Sequence, residues 1–211
     1  MCYYVDVKTT AAEAKEMFNV GINKADQFPT GEFINGFSHP NLPIITNMQP
    51  DLIQTHLTWG LQPSWGKEKD LELRKGKLNA RLEELSEKVS YKNITSNRCL
   101  ILCTSYWEWR WLDEKGTEKE KYNIFSQNDE IFGFAGLFDN WINPANGEIM
   151  RTFTMVTTAA NELMSYIHNH KKRMPIIINR ADQQSWLDSK VNIQEFAYPN
   201  YNQSLVAFEA A

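Results

Sequence analysis

The chain has 211 residues, of which 42% are hydrophobic and 12% aromatic, so it can bury a core as one large domain or two small ones. No run approaches about 18 apolar residues and no basic segment precedes an apolar one at the start, so we expect neither a membrane span nor a secretory signal. The net charge of −4 argues weakly against nucleic-acid binding, and three cysteines do not make a disulfide framework. We therefore expect a reduced, intracellular protein.

The first predicted element is a helix over residues 9–18, TTAAEAKEMF. Thr10 and Glu13 have the spacing of a capping box, and the apolar side chains that follow share one face. Residues 21–50 are rich in Pro, Gly and Asn, which predicts irregular chain around short strands.

The sequence predicts strands in the middle of the chain and two helices in its last third. The predicted strands are 56–61, 99–109, 121–126, 131–141 and 151–158, and the predicted helices are 159–167 and 180–188. NPANGE, between the last two strands, is a hairpin turn signal. We therefore predict a single α+β domain over residues 1–211, with a mostly antiparallel sheet and helices at both ends.

Two segments near the first strands leave alternatives open. WGLQPSWG (59–66) places two tryptophans around a proline, which predicts either core and turn packing or an exposed aromatic platform. LNARLEEL (78–85) contains Asn79 and Arg81, and its simplest interpretation is a helix start with Asn79 as the N-cap.

SYWEWRW (105–111) sets a carboxyl group among aromatic residues at the end of a strand. Alternation sends Glu108 to the face opposite Trp107 and Trp109. If Glu108 is buried, desolvation favours the neutral form of its carboxyl group, and a carboxyl group that can hold a proton suits a proton shuttle. The equally acceptable alternative is an outward Glu108 with both rings in the core.

HNHKKRMP (168–175) puts His168 and His170 directly after a predicted helix, beside three cations and no acid. A histidine there could be a general acid or simply cap the helix. The basic residues fit either a basic face or a solvated loop. Cys99 and Cys103 have no second ligand pair, so we predict no metal site, and no cofactor motif is present.

Several of these segments occur together, in order, in one family. The sequence has Cys at position 2, then WGLQPSW, LNAR, a Trp-Glu-Trp strand, AGLFDNW and VTTAANELMSYIHNHKKRMPIII. It resembles the SRAP family, the SOS response-associated peptidase-like, abasic-site processing proteins, over roughly residues 1–187. The resemblance implies a barrel-like β core, a self-processing N-terminus and covalent capture of abasic sites in single-stranded DNA. It also implies a cytoplasmic, nucleoid-associated protein, and we expect a monomer with no membrane association.

The resemblance assigns catalytic roles to four residues. Cys2 matches the crosslinking nucleophile, and Asn79 matches the Asn that holds the abasic sugar. Glu108 and His168 match the catalytic acidic residue and the catalytic histidine. We expect Glu108 to accept a proton from the Cys2 amine and His168 to protonate the sugar-ring oxygen.

The resemblance also assigns DNA contacts. Arg81 and Thr157 match phosphate contacts, Trp109 matches an aromatic that stacks against DNA, and Pro40 matches a proline of the binding surface. Further phosphate contacts are expected from the basic cluster Lys171, Lys172 and Arg173.

The sequence departs from the family pattern at Tyr3 and Tyr4, where many members have Gly-Arg, and in the tail 188–211. An N-terminal-nucleophile amidohydrolase would also explain Cys2, and a non-catalytic reader of modified DNA bases would make it incidental. The crosslinking enzyme explains the most, because removal of Met1 would give Cys2 a free amine and thiol together. These two groups convert an aldehyde into a thiazolidine, which an internal cysteine cannot do.

Overall fold

The computed structural model describes residues 2–210, which contain fourteen β-strands, three short α-helices and six 3-10 helices. The strands are β1 (Tyr4–Val7), β2 (Gly21–Ile22), β3 (Gly31–Asn35), β4 (Asn41–Thr46), β5 (Gln49–Trp59), β6 (Asn79–Arg81), β7 (Arg98–Cys103), β8 (Ser105–Trp111), β9 (Lys119–Ser126), β10 (Phe132–Ile142), β11 (Ile149–Ala159), β12 (Arg173–Pro175), β13 (Ile177–Ile178) and β14 (Leu205–Ala210). The helices are α1 (Ala11–Phe18), α2 (Glu162–Ile167) and α3 (Gln183–Leu187).

Five of these strands close into a barrel. Antiparallel pairing runs in the order β5, β4, β7, β10, β11, and a parallel pairing between β11 and β5 completes the ring. The closing pairs are Thr152 with Thr58 and Phe153 with Trp59. Closure leaves no free edge, and the barrel-like α+β core predicted from the resemblance is confirmed.

A second, antiparallel sheet covers one side of the barrel in the order β14, β9, β8, β1, β3. One face of this sheet packs inward, where the rings of Tyr106 and Phe134 meet edge to face with centroids 5.5 Å apart. The outward face carries Tyr4, Trp107 and Trp109. The C-terminal segment supplies β14, so its described part belongs to this sheet.

The first helix follows the sequence prediction. Thr10 accepts a hydrogen bond from the Glu13 backbone amide, and the Glu13 carboxylate accepts one from the Thr10 amide, which completes the capping box. Helix α2 is shorter than the predicted 159–167, because Ala159 still belongs to β11 and Asn161 is the N-cap. None of the helices in residues 2–210 is long and apolar enough to cross a membrane.

Two predictions about secondary structure are wrong. Residues 99–109 form two strands in different sheets, because the chain turns at Thr104, whose amide donates to the Asp6 carbonyl instead of continuing the barrel. Residues 79–81 form a strand, not the start of a helix. Asn79 pairs in parallel with Met155 of β11, and this tertiary pairing overrides the local capping signal.

Candidate active site

Cys2 lies fully buried where the second sheet meets the barrel. Its thiol donates to the Tyr4 carbonyl with an Sγ–O distance of 3.6 Å. The Asn79 side-chain amide donates to the Cys2 carbonyl over 2.8 Å. Because β6 is fixed by its pairing with β11, Asn79 holds the Cys2 backbone in a defined position.

The Cys2 thiol is held in its protonated form. Burial raises its pKa well above the usual value, and the negative charge of Glu108 raises it further. The same charge acts on Tyr3 and Tyr106, so Glu108 lies within electrostatic range of the N-terminal segment. The site therefore lacks the preformed thiolate that is typical of a cysteine peptidase with an internal nucleophile.

Strand alternation turns Glu108 inward and both neighbouring tryptophans outward. Glu108 is 4% exposed, whereas Trp107 and Trp109 are half-buried on the outer face. The structure thus selects the interpretation in which the carboxyl group enters the core. Burial raises the pKa of Glu108, so part of the population keeps a proton at a pH where an exposed glutamate would be ionised.

His168 caps the C-terminus of α2 and faces Glu108. Its Nε2 lies 3.9 Å from Oε2 of Glu108, and its Nδ1 is 2.9 Å from the Arg173 carbonyl. Burial lowers the pKa of His168 to about 4. The imidazole is therefore neutral near pH 7, and the two groups do not form a charged ion pair there.

The loop that carries His168 is fastened to the end of β8. Asn169 accepts a hydrogen bond from the Trp111 amide over 3.0 Å and donates one to the Trp111 carbonyl over 2.8 Å. The His170 ring stacks on Trp111 at 3.7 Å, and Arg110 donates to the Tyr166 carbonyl over 2.6 Å. We call these contacts the latch. Sequence reasoning missed it, since Asn169 and Trp111 lie 58 positions apart.

The predicted DNA contacts divide into exposed and buried residues. Arg81 is 46% exposed and pairs with Glu84, and Lys171 and Lys172 are exposed. By contrast, Arg173 is buried and forms an ion pair with Glu83.

Thr157 is also buried, and it hydrogen-bonds to Arg173. Arg173 Nη2 donates to the Thr157 carbonyl over 2.8 Å and to its hydroxyl over 3.1 Å. In this conformation neither residue offers its polar group to solvent.

The remaining predicted aromatic and proline contacts lie on different parts of the molecule. Trp59 is fully buried and donates from Nε1 to the Leu78 carbonyl, whereas Trp65 is 55% exposed. The WGLQPSWG segment therefore has one tryptophan packed in the core and one exposed at the surface. The carbonyl of half-buried Pro40 accepts a hydrogen bond from the Trp59 amide, which places it at the start of β4 beside the end of β5.

Comparison with known proteins agrees with this architecture. The family model of the SOS response associated peptidase (SRAP) matches residues 1–209. The abasic site processing protein YoqW of Bacillus subtilis is 37% identical over 196 residues, which is 90% of this chain and 80% of that protein. The abasic site processing protein HMCES of Gallus gallus is 34% identical over 154 residues, 63% of this chain and 44% of that protein.

A solved structure is also similar. A crystal structure of a protein from Bacteroides thetaiotaomicron superimposes with a TM-score of 0.88 at 30% identity, covering 100% of this chain and 92% of the other. The sequence match over nearly the whole chain, joined to a closed barrel with Cys2 buried beside Asn79 and Glu108, shows that the chain belongs to the SRAP family.

Proposed function

We propose that this protein captures abasic sites in single-stranded DNA as a covalent thiazolidine, through Cys2 after removal of Met1. The observation that carries the proposal is that Asn79 and Glu108 lie beside Cys2, the second residue of the chain, and that His168 lies against Glu108. The names of its relatives, abasic site processing proteins, support the same conclusion.

Removal of Met1 is the first step, because the Cys2 nitrogen is an amide while Met1 is attached. We propose that the protein itself hydrolyses this bond, with Glu108 and His168 moving the protons of the attacking water. The products are free methionine and a Cys2 amine. An α-amine has a pKa of about 7.7–8.0, so a substantial fraction is neutral and nucleophilic near pH 7.

The crosslink then forms in two steps. The Cys2 amine adds to the aldehyde of the ring-opened sugar and the adduct loses one water, which gives an imine. The Cys2 sulfur attacks the imine carbon, and its proton passes to the nitrogen to close a five-membered ring. Closure is intramolecular, and well-oriented reactions of this kind reach effective molarities of about 10⁵ M or more.

The pKa directions suggest which residue gives and which takes protons. Glu108, with its raised pKa, is suited to donate a proton to the sugar-ring oxygen and to the departing water. Burial keeps the His168 imidazole neutral, and in that form it has a nitrogen that can take up a proton as the amine attacks. This is the reverse of the assignment expected from the sequence, in which His168 was the acid.

We assign the proposed DNA contacts to residues whose side chains reach the solvent. Arg81, Lys171 and Lys172 are exposed cations suited to backbone phosphates, and Trp109 is suited to stack on a base. Arg173 and Thr157 would not contact DNA directly. Their role would be structural, because they hold Glu83 and β12 in place. We further propose that the protein acts as a monomer in the cytoplasm, on the nucleoid.

The test is incubation with a single-stranded oligonucleotide that carries one abasic site, followed by denaturing electrophoresis. We expect an adduct that survives denaturation without borohydride, and none with the same oligonucleotide lacking the lesion. An amidohydrolase or a non-catalytic reader would form no such adduct, and that result would refute the proposal.

A further inference from the structure

A cavity of about 240 Å³ lies at the end of the barrel where β11 begins, and we call it the mouth cavity. Its lining includes Thr46, Gln54, Leu57, Phe138, Asn140 and Arg151. Met155, whose strand partner Asn79 binds the Cys2 carbonyl, lies four residues beyond Arg151 on β11. Roughly 13 Å of strand therefore separates the mouth cavity from the level of Cys2. Small-molecule sites are common in the mouths of β-barrels, so this cavity is a second candidate site.

A β-bulge in β5 shapes the floor of the mouth cavity. Leu57 pairs with Leu42 of β4, and Gln54 pairs with Ile44, so two steps along β4 correspond to three along β5. The extra residue brings Gln54 and Leu57 to the same side of the strand, where both line the cavity. Regular alternation would put residues three apart on opposite faces. The bulge therefore sets a polar amide beside an apolar floor made by buried Leu57 and Phe138.

Hydrogen bonds fix the guanidinium of Arg151 at this floor. Gln54 and Thr46 are both buried, and Gln54 Nε2 donates to the Thr46 hydroxyl over 2.8 Å. Arg151 Nη1 donates to Gln54 Oε1 over 3.4 Å and to His56 Nε2 over 2.8 Å. Because a guanidinium can only donate, His56 must accept through Nε2, and its ring is neutral.

In the described part of the chain, no acid forms an ion pair with Arg151, and Nη1 alone of its side-chain nitrogens has a hydrogen-bond partner. Glu148 lines an adjacent cleft, where its carboxylate accepts a hydrogen bond from Asn146 over 2.9 Å. Burial lowers the pKa of His56, and the positive charges of Arg151 and Lys24 lower it further. The mouth cavity therefore combines an unbalanced positive charge with N–H donors that are available to a ligand.

We propose that the mouth cavity binds a small organic anion, with its carboxylate or phosphate group on Arg151 and its apolar body on Leu57 and Phe138. The planar guanidinium can give such a group two parallel hydrogen bonds from Nε and Nη2. The size is suitable, because a cavity of about 150 Å³ already holds benzene, which leaves room here for one ring and its charged group. The site is separate from the chemistry at Cys2, so this proposal goes beyond the proposed function.

The test is NMR spectroscopy of the four histidine side chains while benzoate or phenyl phosphate is added at constant ionic strength. An anion on Arg151 offsets the positive charge beside His56, so binding should raise the pKa of His56 by about 0.5 or more. We expect half-saturation on the order of 1 mM for a ligand of this size. Comparison of the two anions shows which charged group the site prefers. Benzamide, which has the same ring without the charge, should leave the pKa of His56 unchanged.

Two variants test the role of the guanidinium. Arg151→Gln removes the charge, and Asn140→Asp places a carboxylate directly opposite Arg151 in the β10–β11 pairing, on an exposed residue where folding is not at risk. Both should abolish the response of His56 to either anion. The matched control is Arg180→Gln, which removes an exposed arginine that lies outside the mouth cavity.

A wild-type protein in which neither anion moves the pKa of His56 would overturn the proposal. An equal response in Arg151→Gln, Asn140→Asp and Arg180→Gln would also overturn it, because the anion would then bind elsewhere. No adduct is measured in these titrations, so failure of this proposal and failure of the proposed function are separate results.

Discussion

The His168 imidazole and the Glu108 carboxylate lie 3.9 Å apart, although 60 positions separate them in the sequence. Both are buried, yet burial moves their pKa values in opposite directions, up for the acid and down for the base. Both shifts favour the uncharged forms, which are a proton donor and a proton acceptor. With Glu108 as the proton donor and His168 as the proton acceptor, the pair is suited to the two proton transfers of imine formation.

Cys2→Ala should abolish the borohydride-independent adduct, because alanine leaves an amine without the thiol that closes the ring. Denaturing electrophoresis with abasic single-stranded DNA measures this. Cys103→Ala is the matched control, since Cys103 is equally buried but its nitrogen is an internal amide. A Cys2→Ala adduct as stable as that of the wild type would contradict the assignment.

Glu108→Gln and His168→Gln should each slow crosslinking by about 10²-fold without stopping it, once Met1 has been removed beforehand. Each change removes a group that titrates while preserving polarity and approximate size. Single-turnover rates of the two variants and of the double variant measure the effect. Since we propose that both groups act on one step, we expect the combined loss to be smaller than the product of the single losses, and full additivity would argue against a shared step.

The stability of the folded protein should depend on His168 between pH 6.5 and pH 4. The folded-state pKa of about 4 lies below the ordinary value, so the unfolded chain binds the extra proton first as the pH falls. Stability is therefore lost on acidification through this window, by up to about 3 kcal/mol. Glu108, with its raised pKa, contributes in the opposite sense.

Urea denaturation of the wild type and of His168→Gln at several pH values isolates the histidine contribution. We expect the variant to lose less stability than the wild type between pH 6.5 and pH 4. Parallel losses in the two proteins would mean that His168 is not held in its neutral form.

Asn169→Ala should slow crosslinking at saturating DNA, because the latch orients the loop that carries His168. The change removes two hydrogen bonds to Trp111, each worth about 1 kcal/mol. The matched control is Asn146→Ala, in the exposed turn before β11. A purely structural role would lower stability and leave the pH profile of the rate unchanged, so an altered profile in Asn169→Ala is the discriminating readout.

Arg81→Ala should weaken DNA binding and reduce its dependence on salt. Arg81 is exposed and pairs only at the surface with Glu84, so its charge is available to a phosphate. Titrations across a range of salt concentrations should show a slope lower by about 0.7. Unchanged affinity and slope would remove Arg81 from the binding surface.

Local sequence signals predicted the parts of the fold that local chemistry controls. The capping box of α1 satisfies its own backbone groups, so Thr10 and Glu13 were sufficient to locate the helix. Alternation likewise placed Glu108 opposite its two tryptophans. The break at Thr104 carries no such signal, since it depends on a hydrogen bond to Asp6 from a distant strand.

The candidate site was predicted mainly through resemblance to a family. Cys2, Asn79, Glu108 and His168 were named from motifs, but their grouping depends on the parallel pairing of β6 with β11 and on the latch. The burial of Arg173 could not be read from HNHKKRMP, because a run of cations looks the same whether it is solvated or paired internally with Glu83. The sequence also gives no sign that Phe33 adopts a left-handed backbone conformation, with φ of 51°. Its amide donates a hydrogen bond to the Asp6 carboxylate, which lies on a different strand.

The most direct test of the account is the intact mass of the adduct formed with an abasic single-stranded oligonucleotide. Thiazolidine formation through Cys2 predicts the mass of the chain without Met1, plus the mass of the oligonucleotide, minus one water. An adduct that retains Met1, or the absence of any adduct under conditions where the protein is folded, would contradict the central claim.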